Sequence, residues 1–169
     1  MAFSDSSSKN SSLDESGPLL VDLISNTLEF NGQLIDYSIV PDDKELISNY
    51  LRSNKSKADF ILTTGGTGFA KRDVTPEATK DVIERECPGI VTSLLMGGLR
   101  STPFAALTRL AAGISGNCLI VNLPGSPKAV REGFEILEKL LPHAIAVLTD
   151  DYKEIIMTHN DFNLFSNLT

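Results

Sequence analysis

Cysteine and histidine are scarce in this chain. Cys87 and Cys118 are its two cysteines, too few for a disulfide framework, and neither belongs to a Cys-x-x-Cys pair. Both are expected to be reduced thiols. His143 and His159 have no neighbours at chelating spacing, which argues against an imidazole metal centre and against a Ser/His/Asp hydrolase. No apolar run reaches the length of a membrane span, and the first residues lack the apolar core of a signal peptide. A cytoplasmic protein with no membrane partner is expected, and the sequons at Asn10, Asn54 and Asn167 read as chance matches. A cationic excess is also missing. With a formal charge of −7 the surface cannot release counterions from a phosphate backbone, so no nucleic-acid partner is expected.

What remains is the composition of a soluble globular protein, 41% hydrophobic and 22% charged. At 169 residues the chain suits one domain with a real core, taken here as residues 1–169 with a polar tail over 152–169. A small anionic ligand is compatible with the negative total if local cations, backbone amides and Mg²⁺ hold it.

The pattern alternates between helical and β-rich stretches. Residues 4 to 17 are serine-rich, which composition alone assigns to a flexible tail. Leu19, Leu20, Leu23, Ile24 and Leu28 then recur at helical spacing, ending near Asn31-Gly32. Leu34 to Val40 reads as a strand, and Asp42, three residues ahead of Glu45, reads as the cap of a helix through Leu51. A strand is expected at 59–63, a helix at 76–86, and another starting within Ile90 to Met96. Leu110 to Val121 suggests two short strands around a Ser115-Gly116-Asn117 turn. Ser126 and Pro127 look like the N-cap and first residue of a helix with Val130, Phe134, Leu137 and Leu141 on its apolar face. Pro142 should interrupt it, with a last helical stretch from Ala144 to Leu148. Together these imply a three-layer α/β/α fold with a mainly parallel sheet and a small β-hairpin.

The segment Thr63-Thr64-Gly65-Gly66-Thr67-Gly68-Phe69-Ala70-Lys71-Arg72-Asp73-Val74-Thr75-Pro76-Glu77 sits where a strand passes to a helix. Glycines tolerate positive φ and let main-chain N–H groups approach a ligand, so Gly65, Gly66 and Gly68 can aim several amides at one phosphate. Thr75-Pro76 reads as a cap and first turn, adding the positive end of a helix. The competing reading is a loop that merely turns the chain. Asp73 favours a ligand, because a carboxylate beside a bound phosphate requires a cation such as Mg²⁺ between them. The loops after Val40, after Thr64 and after Asn122 all leave strand ends and should share one crevice.

Five segments in order carry a resemblance. They are Ser4-Asp5-Ser6, Asp14-Glu15-Ser16-Gly17, Ile39-Val40-Pro41-Asp42, the run Thr63 to Glu77, and Asn122-Leu123-Pro124-Gly125-Ser126-Pro127-Lys128. Their order and spacing, over nearly the whole chain, resemble the molybdopterin adenylyltransferase family, which includes the amino-terminal G domain of gephyrin, and look closest to its eukaryotic branch. The resemblance implies transfer of AMP from Mg-ATP to the terminal phosphate of molybdopterin, with pyrophosphate released. It implies Asp42 and Asp73 as the functional acids, and Gly65, Gly66, Thr67 and Gly68, with Asp5, at the nucleotide phosphates; because two anions must be brought together, the same two acids are assigned to Mg²⁺, directly or through water. Pro124, Gly125 and Ser126 fall at the pterin site; by charge and position Lys128 is a candidate for the pterin phosphate beside the Ser126 helix start, and Lys71 and Arg72 are candidate phosphate neighbours. The plain alternatives are that Asp42 and Ser126 only cap helices and that Lys71 and Arg72 are solvated surface. The resemblance further implies a homotrimer and association with a molybdate-inserting domain. The alternative is a molybdopterin-binding or trimeric scaffold domain without catalysis. Members begin with an apolar strand near the middle of the sheet, of which Met1-Ala2-Phe3 are the counterpart here, so a truncated first strand with an exposed neighbouring edge is expected.

Overall fold

The structure, a computed structural model, describes residues 2–3 and 14–151. Asp5 and the expected polar tail at 152–169 lie outside the described residues.

Leu119, Val121 and Leu123 alternate with Cys118 and Ile120 along one extended segment, and all five are buried. A strand with both sets of side chains hidden must lie inside a sheet covered on two faces. Among the described residues it is the last of six strands: β1 (Ala2–Phe3), β2 (Ile39–Val40), β3 (Phe60–Thr64), β4 (Arg85–Glu86), β5 (Ala112–Ser115) and β6 (Cys118–Leu123). Their order is β2-β1-β3-β6-β5-β4, parallel from β2 to β6 and antiparallel at β5 and β4. The expected mainly parallel sheet and its hairpin, Ser115↔Cys118 at the turn, are both present.

Two cores flank the sheet. On one face Leu62, Leu119, Val121 and Leu123 meet Leu20 and Ile24 of α1 (Ser16–Asn26), Leu94 of α4 (Pro88–Ser101), and Val130, Phe134, Leu137 and Leu141 of α5 (Pro127–Leu148). On the other, Ile61, Cys118 and Ile120 meet Ile47 and Leu51 of α2 (Lys44–Asn54) and Ala78 of α3 (Thr75–Lys80). Asn122 stitches this second face. It is fully buried and its amide donates to the hydroxyls of Thr63 (2.9 Å) and Thr79 (2.8 Å), tying β6 to β3 and α3.

Several elements differ from their expected bounds, each for a physical reason. The helix expected over 76–86 stops at Lys80, because Arg85 and Glu86 pair with Ile114 and Gly113 and complete the outer edge of β5. α1 ends at Asn26 rather than near Gly32, with Leu28 fully exposed beyond it. Pro142 does not interrupt α5. Loss of one helical bond costs about 3 kcal/mol, but the buried face at 130, 134, 137 and 141 continues to Ala146 and outweighs it. The strand expected over 34–40 shrinks to Ile39–Val40, since its partner β1 offers only Ala2 and Phe3, paired to Ile39 and Val40. Without a ladder partner, Leu34 and Ile35 stay exposed in a loop. β1 lies inside the sheet, between the edge strand β2 and β3, but it meets β3 only at Thr64, and a groove of about 580 Å³ runs beside Phe60–Leu62.

Candidate active site

Strand β3 delivers the chain to Gly65 and Gly66, whose φ values of 94° and 63° lie in the left-handed region. A side chain at Gly66 would also collide with Thr75 Oγ1 and stand 3.3 Å from Asp42 Oδ1. One at Gly68 would lie 2.7 Å from Asp73 Oδ2. The two acids expected from the sequence therefore abut the same glycine loop, Asp42 at Gly66 and Asp73 at Gly68. The Gly66 carbonyl accepts from Thr75 N–H (3.1 Å), and Asp73 Oδ2 accepts from Ala70 N–H (3.2 Å), so the loop is closed on itself.

The second expected loop meets the first. A β-carbon on Gly125 would lie 3.1 Å from Gly65 Cα, and Gly65 N–H donates to the Leu123 carbonyl at 3.2 Å. Thr64 Oγ1 donates to the Pro124 carbonyl (2.7 Å) and Ser16 Oγ to that of Gly125 (2.8 Å), which fixes the turn from below and from α1. Ser126 caps α5, accepting from Ala129 N–H at 3.3 Å, with Pro127 behind it in the first turn. Between these loops and α4 lies a cavity of about 440 Å³. Gly66, Thr67, Gly68 and Asp73 line one part of it and Pro124, Gly125 and Ser126 another; Leu94, Leu95, Phe104 and Leu110 supply apolar walls.

Other expected residues fall elsewhere. Asp42 touches the loop but does not line the cavity. Lys128 is also outside the lining, 72% exposed, with its ammonium 3.7 Å from Glu132 Oε1. Lys71 and Arg72 are exposed on the surface, and neither lines the cavity. The expected cap of α2 is corrected: Asp43, not Asp42, accepts from Leu46 N–H at 3.0 Å. Helix capping thus does not account for Asp42. Likewise α3 is entered at Val74, and Thr75 is its first residue rather than its cap.

Arg109 was not singled out from the sequence. Its Nε donates to the Gly68 carbonyl at 2.7 Å, while its two terminal nitrogens reach the Asp73 carbonyl and the Glu77 carboxylate. One guanidinium thereby holds both ends of the loop segment that presents Asp73, a task suited to a rigid fork of donors. Its own N–H also bonds the Thr67 carbonyl at 2.8 Å. The side chain's partners are 32 to 41 residues away, so no local spacing betrays them.

The oxygens near the loop fit a hard cation. Thr75 Oγ1 is buried with no hydrogen-bond partner among the described residues, and it shares the space beneath Gly66 with Asp42 Oδ1. Among the described residues no group of three or more His, Cys, Asp or Glu side chains could hold a metal alone. That donor set suits Mg²⁺, which takes one or two carboxylates and completes its shell with water and substrate phosphates.

An open α/β sheet whose glycine loop and capped second loop close over one apolar cavity defines an α/β domain with a small-ligand pocket at a strand-end edge. The profile of the family described as "probable molybdopterin binding domain" matches residues 1–143, and the chain belongs to that family. It is 45% identical over 161 residues to the molybdenum cofactor synthesis protein cinnamon of Drosophila melanogaster, covering 94% of this chain and 26% of that protein. It is 37% identical over 161 residues to the molybdopterin adenylyltransferase of Helicobacter pylori strain J99, covering 92% of this chain and 89% of the bacterial one. The solved structure of the molybdopterin biosynthesis enzyme MoaB from Thermus thermophilus superposes with a TM-score of 0.80 at 40% identity, covering 88% and 93% of the two chains. The chain thus spans about a quarter of cinnamon's length and most of the bacterial enzyme's. Among the described residues no helix is long and apolar enough to cross a membrane.

Proposed function

We propose that this chain acts in molybdenum cofactor biosynthesis as a nucleotidyltransferase, moving AMP from Mg-ATP to the terminal phosphate of molybdopterin and releasing pyrophosphate. The observation that carries this reading is the meeting of the glycine loop, Asp73 and the Pro124–Ser126 turn in one cavity. An oxygen of the pterin phosphate attacks the α-phosphorus of ATP, and the bond to the bridging oxygen of pyrophosphate breaks. Two anions must be aligned, so positioning and charge neutralisation dominate over proton transfer.

In this scheme the amides of Gly66, Thr67 and Gly68 hold the nucleotide phosphates, while the Gly65 N–H, spent on the Leu123 carbonyl, only shapes the loop; the start of α5 at Gly125 and Ser126 receives the pterin phosphate. Asp42 and Asp73, with Thr75 Oγ1, would hold Mg²⁺, which when bound offsets the charge of the triphosphate. Arg109 keeps the carbonyls of Gly68 and Asp73 turned inward and away from the phosphates. Lys128, on an exposed flank of α5, is assigned a weaker part in attracting the pterin phosphate. Asp5 is carried as a nucleotide contact on the resemblance alone. We also infer one domain, a homotrimer, a cytoplasmic setting, and a molybdate-inserting domain as the consumer of the product. The cinnamon relative, nearly four times as long as the matched segment, supports the last of these.

Incubation with ATP, Mg²⁺ and molybdopterin tests the activity directly. A pterin–AMP adduct formed with an equivalent of pyrophosphate is the expected product. Saturable pterin binding with no adduct would favour the binding or scaffold role instead.

A further inference from the structure

Asp73 and Glu132 are the two carboxylates among the residues lining the 440 Å³ cavity. Asp73 belongs to the glycine loop, whereas Glu132 stands on α5, almost two turns beyond the Ser126 cap and next to Gly133. Nothing in the transfer of AMP requires a second anion there, and beside two phosphates it would be a liability. Its neighbours in the wall are apolar or small, among them Leu94, Leu95, Gly98 and Ala129. The Glu132 side chain is 32% exposed, so it stays solvated at the cavity mouth while its inner face meets these walls.

One donor is present. Ser101 Oγ, at the end of α4, bonds Glu132 Oε1 at 2.6 Å and fixes the side chain across the two helices. The ammonium of Lys128 lies 3.7 Å from the same oxygen, beyond hydrogen-bonding range and largely in solvent. Oε2 makes no hydrogen bond among the described residues, and Oε1 keeps further acceptor capacity.

We propose that Glu132 reads the aminopyrimidine edge of the pterin, its two oxygens accepting from the ring N–H and the adjacent exocyclic NH₂. That edge presents two parallel donors, which a carboxylate matches in bidentate fashion, while the apolar walls take the flat ring. Glu132 is then the specificity-determining residue of the cavity and Ser101 its positioning residue. The inference rests on the adenylylation reading, since it takes a pterin as the occupant.

The test compares molybdopterin with an analogue lacking the 2-amino group, measuring binding to the wild-type chain and to Glu132→Gln and Ser101→Ala. Wild type should prefer the amino form by about tenfold or more, because a site built to accept an N–H is left unpaired by the analogue. Glu132→Gln should bind molybdopterin at least about tenfold more weakly and lose most of that preference, with the ATP dissociation constant unmoved. Ser101→Ala should reduce the preference partway. Equal affinity of wild type for the two ligands, or equal weakening of both by Glu132→Gln, would overturn the role of Glu132 while leaving the reaction standing. Failure of wild type to bind either pterin would instead remove the adenylylation reading, and this one with it.

Discussion

At the scale of single residues, Asp73 and Arg109 divide the work of the loop. If Asp73 acts on the charge of the triphosphate, Asp73→Asn should lower adduct formation by about two orders of magnitude or more, with the fold and pterin binding kept. The amide can still accept from Ala70 N–H, so circular dichroism and pterin titration should match wild type. Turnover near the wild-type rate in saturating Mg²⁺ and ATP would refute the assignment. Arg109→Lys keeps the charge but cannot span three acceptors. It should raise the KM for ATP by about tenfold while leaving pterin affinity in place, a split that steady-state kinetics resolves. Asp73, the glycines and the Ser126 cap were legible in the sequence because their chemistry is local. Arg109 and Glu132 were not, since each acts on partners brought near only by the fold. The Cys118 thiol, buried and pushed up to about 12 chiefly by desolvation, should stay unreactive toward thiol reagents until the chain unfolds.

At the scale of elements, the helices with a wide apolar face and the 112–123 hairpin could be read in advance, because period and turn residues agree there. β4 could not. Arg85 and Glu86 have no strand-like character and are extended only because β5 needs an edge partner, so tertiary pairing overrides local preference. Leu34 to Ser38 are the converse case: they look like a strand and have no ladder partner among the described residues. α5 is where loss of packing should be felt most. Phe134, 1% exposed among Leu, Val and helix neighbours, should cost about 3 to 5 kcal/mol on replacement by alanine, seen as a shift of the urea midpoint. A shift of only a few tenths of a kcal/mol would mean that α5 is not pinned to the sheet as described. Glu84, next to β4, is held below the usual carboxyl range by the Lys55 ammonium, then by the Gly116 N–H and the Ser115 hydroxyl. Its stabilising contribution is therefore complete above the ordinary value of 4.5 and is lost as pH falls through the lower folded value. Glu84→Gln should flatten the acid limb of a plot of Tm against pH, and an unchanged limb would dismiss that linkage.

At the scale of the whole molecule, the sheet order brings three loops from strand ends to one edge, and this placement followed from the α/β pattern alone. What the pattern did not specify was how far each loop reaches: Asp42 abuts Gly66 without lining the cavity, and Lys128 faces solvent. Met96 and Leu99 are exposed apolar side chains on α4, of the kind a subunit contact would cover in the proposed trimer. Light scattering should give three times the mass of one chain, and a monomer at all concentrations would contradict that assembly. The central claim, however, concerns where two anions meet. A structure of the protein with molybdopterin and a non-hydrolysable ATP analogue decides it. The nucleotide α-phosphate should rest against the amides of Gly66 to Gly68, with the pterin phosphate at Gly125 and Ser126 within reach of it. Phosphates bound at separate surfaces, with the glycine loop bare, would contradict the enzymatic reading.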